Sequence, residues 1–150
     1  MLKNDRLITA MITPFLENGE VDIDTAKKLA IALSKSGSDA ILIGGTTGES
    51  PTLSDDEKLE LFKNVKDAVG DNARVIAGTT DNNNKKSIEL SIEAENLGVD
   101  GLLLTVPSYN KPTQQGLIDH FNKIADSVNI PCILYNVPGR TALNMEAETT

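Results

Sequence analysis

The chain has 150 residues, a net charge of −8 and a pI near 4.6, which argues against a nucleic-acid partner or an anionic membrane, both of which call for a basic face. Its 39% hydrophobic and 24% charged residues are ordinary for a globular domain. One cysteine, Cys132, forms no internal disulfide, and one histidine, His120, is too few for a His/Cys metal cluster; with no signal peptide and no long apolar run, a cytoplasmic protein that does not enter the membrane is expected.

In chain order, the first apolar run, 7–13, reads as a strand. A helix follows in which Ala26, Leu29, Ala30 and Leu33 keep i, i+3, i+4, i+7 spacing, and Gly37 is placed to stop it. The second strand is 40–43. Ser54-Asp55-Asp56-Glu57 then forms a capping box with acids at the positive end of a helix. Leu61, Val65 and Ala68 are that helix's apolar face, with Phe62 and Val69 beside it. The third strand is 74–77. Asn82-Asn83-Asn84 reads as a polar loop with a helix cap, and Lys85-Lys86 as a solvated helix start; Leu90, Ala94 and Leu97 face inward before Gly98. The fourth strand, 101–106, precedes a helix with Thr113 as N-cap and Leu117, Phe121, Ile124 and Ala125 inward. His120 is expected on its polar side, at the surface. In the fifth strand, 132–137, Cys132 is expected to be inert core. The closing residues, 146–150, read as the first turn of a fifth helix.

The strand runs are nearly continuous in apolar residues, as for strands buried on both faces, and recur at roughly 30 residues, one βα unit. Alternating β and α elements predict an α/β fold with a parallel sheet and right-handed crossovers. An open doubly wound sheet and a (β/α)8 barrel both fit. No Gly-x-Gly-x-x-Gly follows the first strand, which disfavours dinucleotide binding. A barrel of about 250 residues needs eight strands, so 1–150 is expected to be the N-terminal part of one barrel domain, with five strands and four helices. An internal echo pairs Gly37-Ser38-Asp39-Ala40 with Gly98-Val99-Asp100-Gly101; both helix–strand joints are built alike.

In a parallel barrel the active site lies at the C-terminal strand ends. The tips after these strands are rich in Gly, Thr and Asn, which let backbone and hydroxyls close on a small carboxylate. Both tyrosines, Tyr109 and Tyr135, lie there, as does Arg140, a bidentate carboxylate reader. Taken singly, the Gly-Gly-Thr-Thr-Gly loop is an ordinary tight turn and a strand-end tyrosine an ordinary packing residue. Their convergence on one rim points to a site.

Gly45-Thr46-Thr47-Gly48-Glu49-Ser50, Pro107-Ser108-Tyr109-Asn110-Lys111-Pro112 and Tyr135-Asn136-Val137-Pro138-Gly139-Arg140-Thr141 closely resemble, in order and spacing, dihydrodipicolinate synthase, also called 4-hydroxy-tetrahydrodipicolinate synthase. The likeness spans the whole chain but about the first half of a family member. It implies a (β/α)8 TIM barrel, usually a homotetramer of two tight dimers. It also implies condensation of pyruvate with aspartate semialdehyde in lysine biosynthesis, through a lysine Schiff base and without metal or cofactor. Thr46 and Thr47 match the pyruvate-end pair, and Thr47, Tyr135 and Tyr109 match the proton relay, with Tyr109 supplied across the dimer interface. Arg140 matches the reader of the semialdehyde carboxylate. Ser50, Asn82 and Tyr109 match a lysine effector site. Pro51 and Lys86 depart from the feedback-sensitive pattern of Ala and Glu, so weak lysine inhibition is expected.

A Schiff-base lysine must be partly neutral near pH 7. None of the lysines here falls inside a predicted strand; in the family it is on strand six. The chain is therefore expected to be inactive alone. Two alternatives remain at this stage: another pyruvate-dependent aldolase such as N-acetylneuraminate lyase, against which Arg140 discriminates, and a non-catalytic fragment.

Overall fold

The computed structural model of the chain describes residues 6–150. Strands β1 (Ile8–Ala10), β2 (Ala40–Ile43), β3 (Arg74–Gly78), β4 (Gly101–Thr105) and β5 (Cys132–Tyr135) form one sheet in the order β1-β2-β3-β4-β5. Every neighbouring pair is parallel. Each strand lies beside its predecessor and the order never reverses. A doubly wound sheet must reverse at its switch point, so this arrangement is a half-barrel.

Helices α1 (Ile23–Lys35), α2 (Asp55–Val69), α3 (Asn84–Asn96) and α4 (Gln114–Ala125) connect the strands. Their starts are set locally. Asp22 accepts from Thr25 N at 2.9 Å, Asn83 from Lys85 N at 3.0 Å and Thr113 Oγ1 from Gly116 N at 3.1 Å. The capping box of α2 is complete: Ser54 N donates to Glu57 Oε2 at 2.7 Å and Glu57 N to Ser54 Oγ at 3.2 Å.

Side chains alternate across the sheet with period two. Ile41, Ile43, Val75, Leu102 and Leu104 point outward and pack with Leu61, Phe62, Val65, Leu117 and Ile124 of the helices in one core. Ala40, Ile76 and Leu103 point to the concave face, with Leu42, Ile133 and Tyr135 half-buried around them. Burial on both faces holds for the central strands only. All of β5 is half-buried, and β1 has no buried residue.

The internal echo has a structural meaning. Asp39 Oδ2 accepts from Arg6 N at 2.8 Å and Leu7 N at 2.9 Å; Asp100 Oδ2 accepts from Val75 N at 2.8 Å and Lys66 Nζ at 2.6 Å. Each carboxylate ties the start of its own strand to the strand before it. The bonds from Leu7 and Arg6 hold the Asp39 carboxyl below its ordinary range.

Several expectations are corrected. β1 ends at Ala10, one further bond running from Met11 N to Leu42 O at 2.9 Å, and Thr13 lies beyond it, donating from Oγ1 to Gly48 O at 2.7 Å. β5 stops at Tyr135, and a short helix, α5 (Pro138–Thr141), follows inside the loop. Residues Ala147–Thr149 form a 3₁₀ turn. His120 is buried, 9% exposed, and not at the surface: it stands three residues after Leu117 and four before Ile124, on the apolar stripe. Asn84 Nδ2 donates to its Nδ1 at 3.0 Å, while its Nε2 is buried with no partner among the described residues. Cys132 is half-buried rather than fully buried, on edge strand β5, and packs against the core; burial, then Glu95, raises its thiol pKa, which keeps it protonated.

Candidate functional site

Parallel strands carry all five following loops to one end of the sheet. The loop after β2 folds on itself, with Gly48 N donating to Gly45 O at 3.1 Å and Ser50 N to the same oxygen at 3.3 Å. It rests against the end of β3 with no side chain between: a Cβ on Gly78 would stand 2.2 Å from Gly44 O. Gly44, at φ +63°, adopts a backbone that L side chains rarely take. Thr80 Oγ1 accepts from Thr105 N at 2.8 Å, joining the loop after β3 to β4. Asn110 Nδ2 donates to Asn82 O at 3.0 Å.

The loop after β5 is held from two sides. Asn136 Nδ2 donates to Asn144 Oδ1 at 2.9 Å and Met145 O at 3.2 Å, and its Oδ1 accepts from Met145 N at 3.1 Å. Gln114 of α4 donates to Asn144 O at 2.9 Å and accepts from Glu146 N at 3.1 Å. This double clamp fixes α5, the helix that carries Arg140.

Together these loops enclose an open cavity of about 930 Å³. Thr46 and Ser50 reach it from the loop after β2, Thr80 and Asn82 from the loop after β3, Thr105 from the end of β4, and Arg140 from α5. Of the residues singled out from sequence, Thr46, Ser50, Asn82 and Arg140 line it. Thr47, the neighbour of Thr46, is exposed and outside the lining. Tyr135 also lies outside it. It ends β5 on the concave face, opposite Thr105, at the same end of the sheet. Tyr109 stands free in solvent, 89% exposed, on a backbone at φ +69°.

Sequence reasoning missed Thr80, Thr105 and Lys58 in the lining. Lys58 was legible as position: it precedes Leu61 by three residues and Phe62 by four, on the buried stripe of α2. Cations from Lys58, Lys86 and Arg140 face acids from Glu49, Asp55 and Asp81 around this cavity. A second cavity of about 410 Å³, at the opposite end of the sheet, is lined by Asp39, Lys66, Arg74 and Asp100. It surrounds the strand-tying carboxylates and is read as structural. No group of three or more potential metal ligands occurs among the described residues, and no described helix is long and apolar enough to cross a membrane.

The fold and rim define a class: a parallel barrel half whose C-terminal strand ends present hydroxyls and a guanidinium to a small polar ligand. The chain belongs to the Dihydrodipicolinate synthetase family, which it matches over residues 3–150. It is 57% identical to the 4-hydroxy-tetrahydrodipicolinate synthase of Moorella thermoacetica over 145 residues, 97% of this chain and 50% of that protein. Dihydrodipicolinate synthase DapA-2 of Bacillus anthracis superposes with a TM-score of 0.96 at 45% identity, over 99% of this chain and 51% of that one. The enzyme of Cyanidioschyzon merolae, crystallised with lysine bound, superposes at 0.95 with 51% identity, over 97% and 50%. The chain thus spans about half the length of the relatives it matches.

Proposed function

We infer that this chain is the binding and proton-handling half of a lyase that condenses pyruvate with aspartate semialdehyde through a Schiff base, in lysine biosynthesis. One observation carries the reading: Thr46 and Arg140, nearly a hundred residues apart in sequence, line a single cavity at the C-terminal strand ends. Thr46 takes the pyruvate end. Arg140 reads the second carboxylate with its planar fork. Thr47, Tyr135 and Tyr109 form the relay, passing protons between hydroxyls without free ions. The exposure of Tyr109 suits a side chain offered to a neighbouring subunit, which supports a dimer-based tetramer.

None of the five strands carries a lysine; in this reading the nucleophile is a strand lysine, so the chain alone is expected to be inactive. The test uses a protein of the relatives' full length that contains this half. Arg140→Gln is expected to raise KM for aspartate semialdehyde about tenfold or more, the weight of a charge-assisted contact, with KM for pyruvate little changed. Equal effects on both substrates would contradict the role given to Arg140. Ser50, Asn82 and Lys86 line the same cavity. An ammonium at Lys86 opposes that of a lysine effector, so millimolar lysine is expected to inhibit this protein weakly; strong inhibition would refute that expectation.

A further inference from the structure

His120 is buried on α4, its ring edge-on to that of Phe121 with centroids 5.2 Å apart. Asn84, the first residue of α3, meets it with one amide nitrogen. Nδ2 donates to Nδ1 of the ring at 3.0 Å and to His120 O at 3.2 Å. A carbonyl oxygen can only accept, so Asn84 presents its NH2 here and not its oxygen. Nδ1 is therefore an acceptor, and the neutral ring carries its proton on Nε2, which is buried with no partner among the described residues. A second proton can enter only at Nδ1, where it faces the Asn84 NH2, donor against donor. The imidazolium is then unsatisfied at both nitrogens in a buried place.

No neighbouring charge offsets this. On α3, Lys85, Lys86, Glu89 and Glu93 are exposed, and Glu95 accepts from Asn129 N at 2.8 Å. On α4, Asp119 and Lys123 are exposed, as are Glu146 and Glu148 of the turn packed on that helix. Asp81 Oδ1 accepts from Asn83 N at 2.7 Å. None of these forms an ion pair with His120 among the described residues.

Asn84 is also bonded into the rim. Ser87 Oγ, in the first turn of α3, accepts from Asp81 N at 2.8 Å and donates to Asp81 O at 3.0 Å. Asn83 accepts from Lys85 N, and the hydroxyls of Thr79 and Ser91 bond at 2.8 Å. The start of α3 and the 79–83 loop thus form one bonded unit, and Thr80, Asp81 and Asn82 of that loop line the cavity.

We propose that Asn84 and His120 form a pH-sensitive latch that ties the start of α3 to α4 and sets the position of the rim segment 80–82. With neutral imidazole both bonds from Asn84 hold. When a proton from solvent enters at Nδ1, the amide must leave or turn. Turned, its oxygen accepts from Nδ1–H but opposes His120 O, so one tie is lost. The latch is closed above the folded pKa of His120 and opens as pH falls through it. Both are positioning residues, and the latch does not depend on the lyase reading.

The test is an NMR pH titration of the 150-residue chain, following the ring nitrogens of His120 and the backbone amides of the rim. At neutral pH the Nε2–H tautomer is expected. As pH falls, the amides of Thr80, Asp81, Asn82 and Asn110 are expected to shift with the midpoint of the ring, below the ordinary 6.5 because burial lowers it. H120Q is expected to lose that transition. N84A is expected to raise the ring midpoint toward 6.5 and to uncouple the rim amides from it; this variant decides if H120Q fails to fold. E93Q, an exposed acid on the same helix, leaves the transition unchanged. The proposal is overturned by an Nδ1–H tautomer in wild type, by rim amides whose midpoint differs from that of the ring, or by an unchanged ring midpoint in N84A. A transition that survives at the same midpoint in H120Q belongs to another group and overturns it too. So does unfolding before the ring titrates, since the latch then never opens in the folded chain.

Discussion

The two faces of the sheet are finished to different degrees. On the outer face, Leu104 is 0% exposed and belongs to a core that runs continuously from α1 to α4. On the concave face its neighbour Leu103 is 8% exposed and joins a cluster with only Ala40 and Ile76 as fully buried companions. The helices supply everything the outer face needs, because each crossover lays its apolar stripe on the strands it connects. A barrel interior is filled by layers of side chains from strands on opposite sides, and five strands supply only part of each layer. The rim loops are therefore set on a sheet whose outer face is packed and whose concave face is only partly filled.

Truncating adjacent residues of β4 sharpens this contrast most. Leu104→Ala is expected to cost about 3 kcal/mol and Leu103→Ala about 1 kcal/mol, since the second already lacks part of its packing. Urea unfolding measures both, and equal losses would break the comparison. In a protein of the relatives' full length, the Leu103→Ala cost is expected to rise toward that of Leu104→Ala. Next in size, Gly78→Ala forces a methyl against Gly44 O. About 2 kcal/mol is expected, together with altered NMR shifts at Gly44, Gly45 and Thr46, because the rim loop must lift.

His120 gives a smaller, pH-dependent effect. Burial lowers its pKa from the ordinary 6.5, so the folded chain favours neutral imidazole. The stability this represents is present above about pH 6.5 and is lost as pH falls toward and through the lowered folded value. The urea midpoint is expected to drop over that range, and H120Q to flatten the profile. The smallest effect belongs to Asp39 at the far end of the sheet. Its pKa is depressed below 3.8, so its contribution is present above about that pH and lost as pH falls through the folded value. Asp39→Asn is expected to shallow the acid limb of the stability curve and leave the rim unchanged.

Much of this was legible because it is local. Ser54-Asp55-Asp56-Glu57, Thr113 and Asn83 cap helices through contacts two or three residues away, and the strands announce themselves as apolar runs. The rim followed from strand direction, since a parallel sheet sends every loop tip to one end. What escaped depends on distance or on side chains that contradict their position. His120 lies on an apolar stripe, yet its polarity marked it as surface, and Lys58, on the buried stripe of α2, was passed over. The clamp from Asn136 to Asn144 and Met145, and α5 within it, join residues eight or nine apart across an irregular loop. Which of two adjacent threonines faces the cavity depends on how the 44–50 loop closes, with Glu49 at φ +55°, and no pattern in Thr46-Thr47 encodes that.

The central claim is that this half binds pyruvate's carboxylate and handles protons while the Schiff-base amine is supplied from elsewhere. Borohydride trapping with pyruvate, followed by peptide mass spectrometry, tests it on residues 1–150 and on a protein of the relatives' full length. No adduct is expected on the shorter chain, and a single lysine adduct outside residues 1–150 on the longer one. A trapped adduct on any lysine of the present chain, Lys58 included, would contradict it.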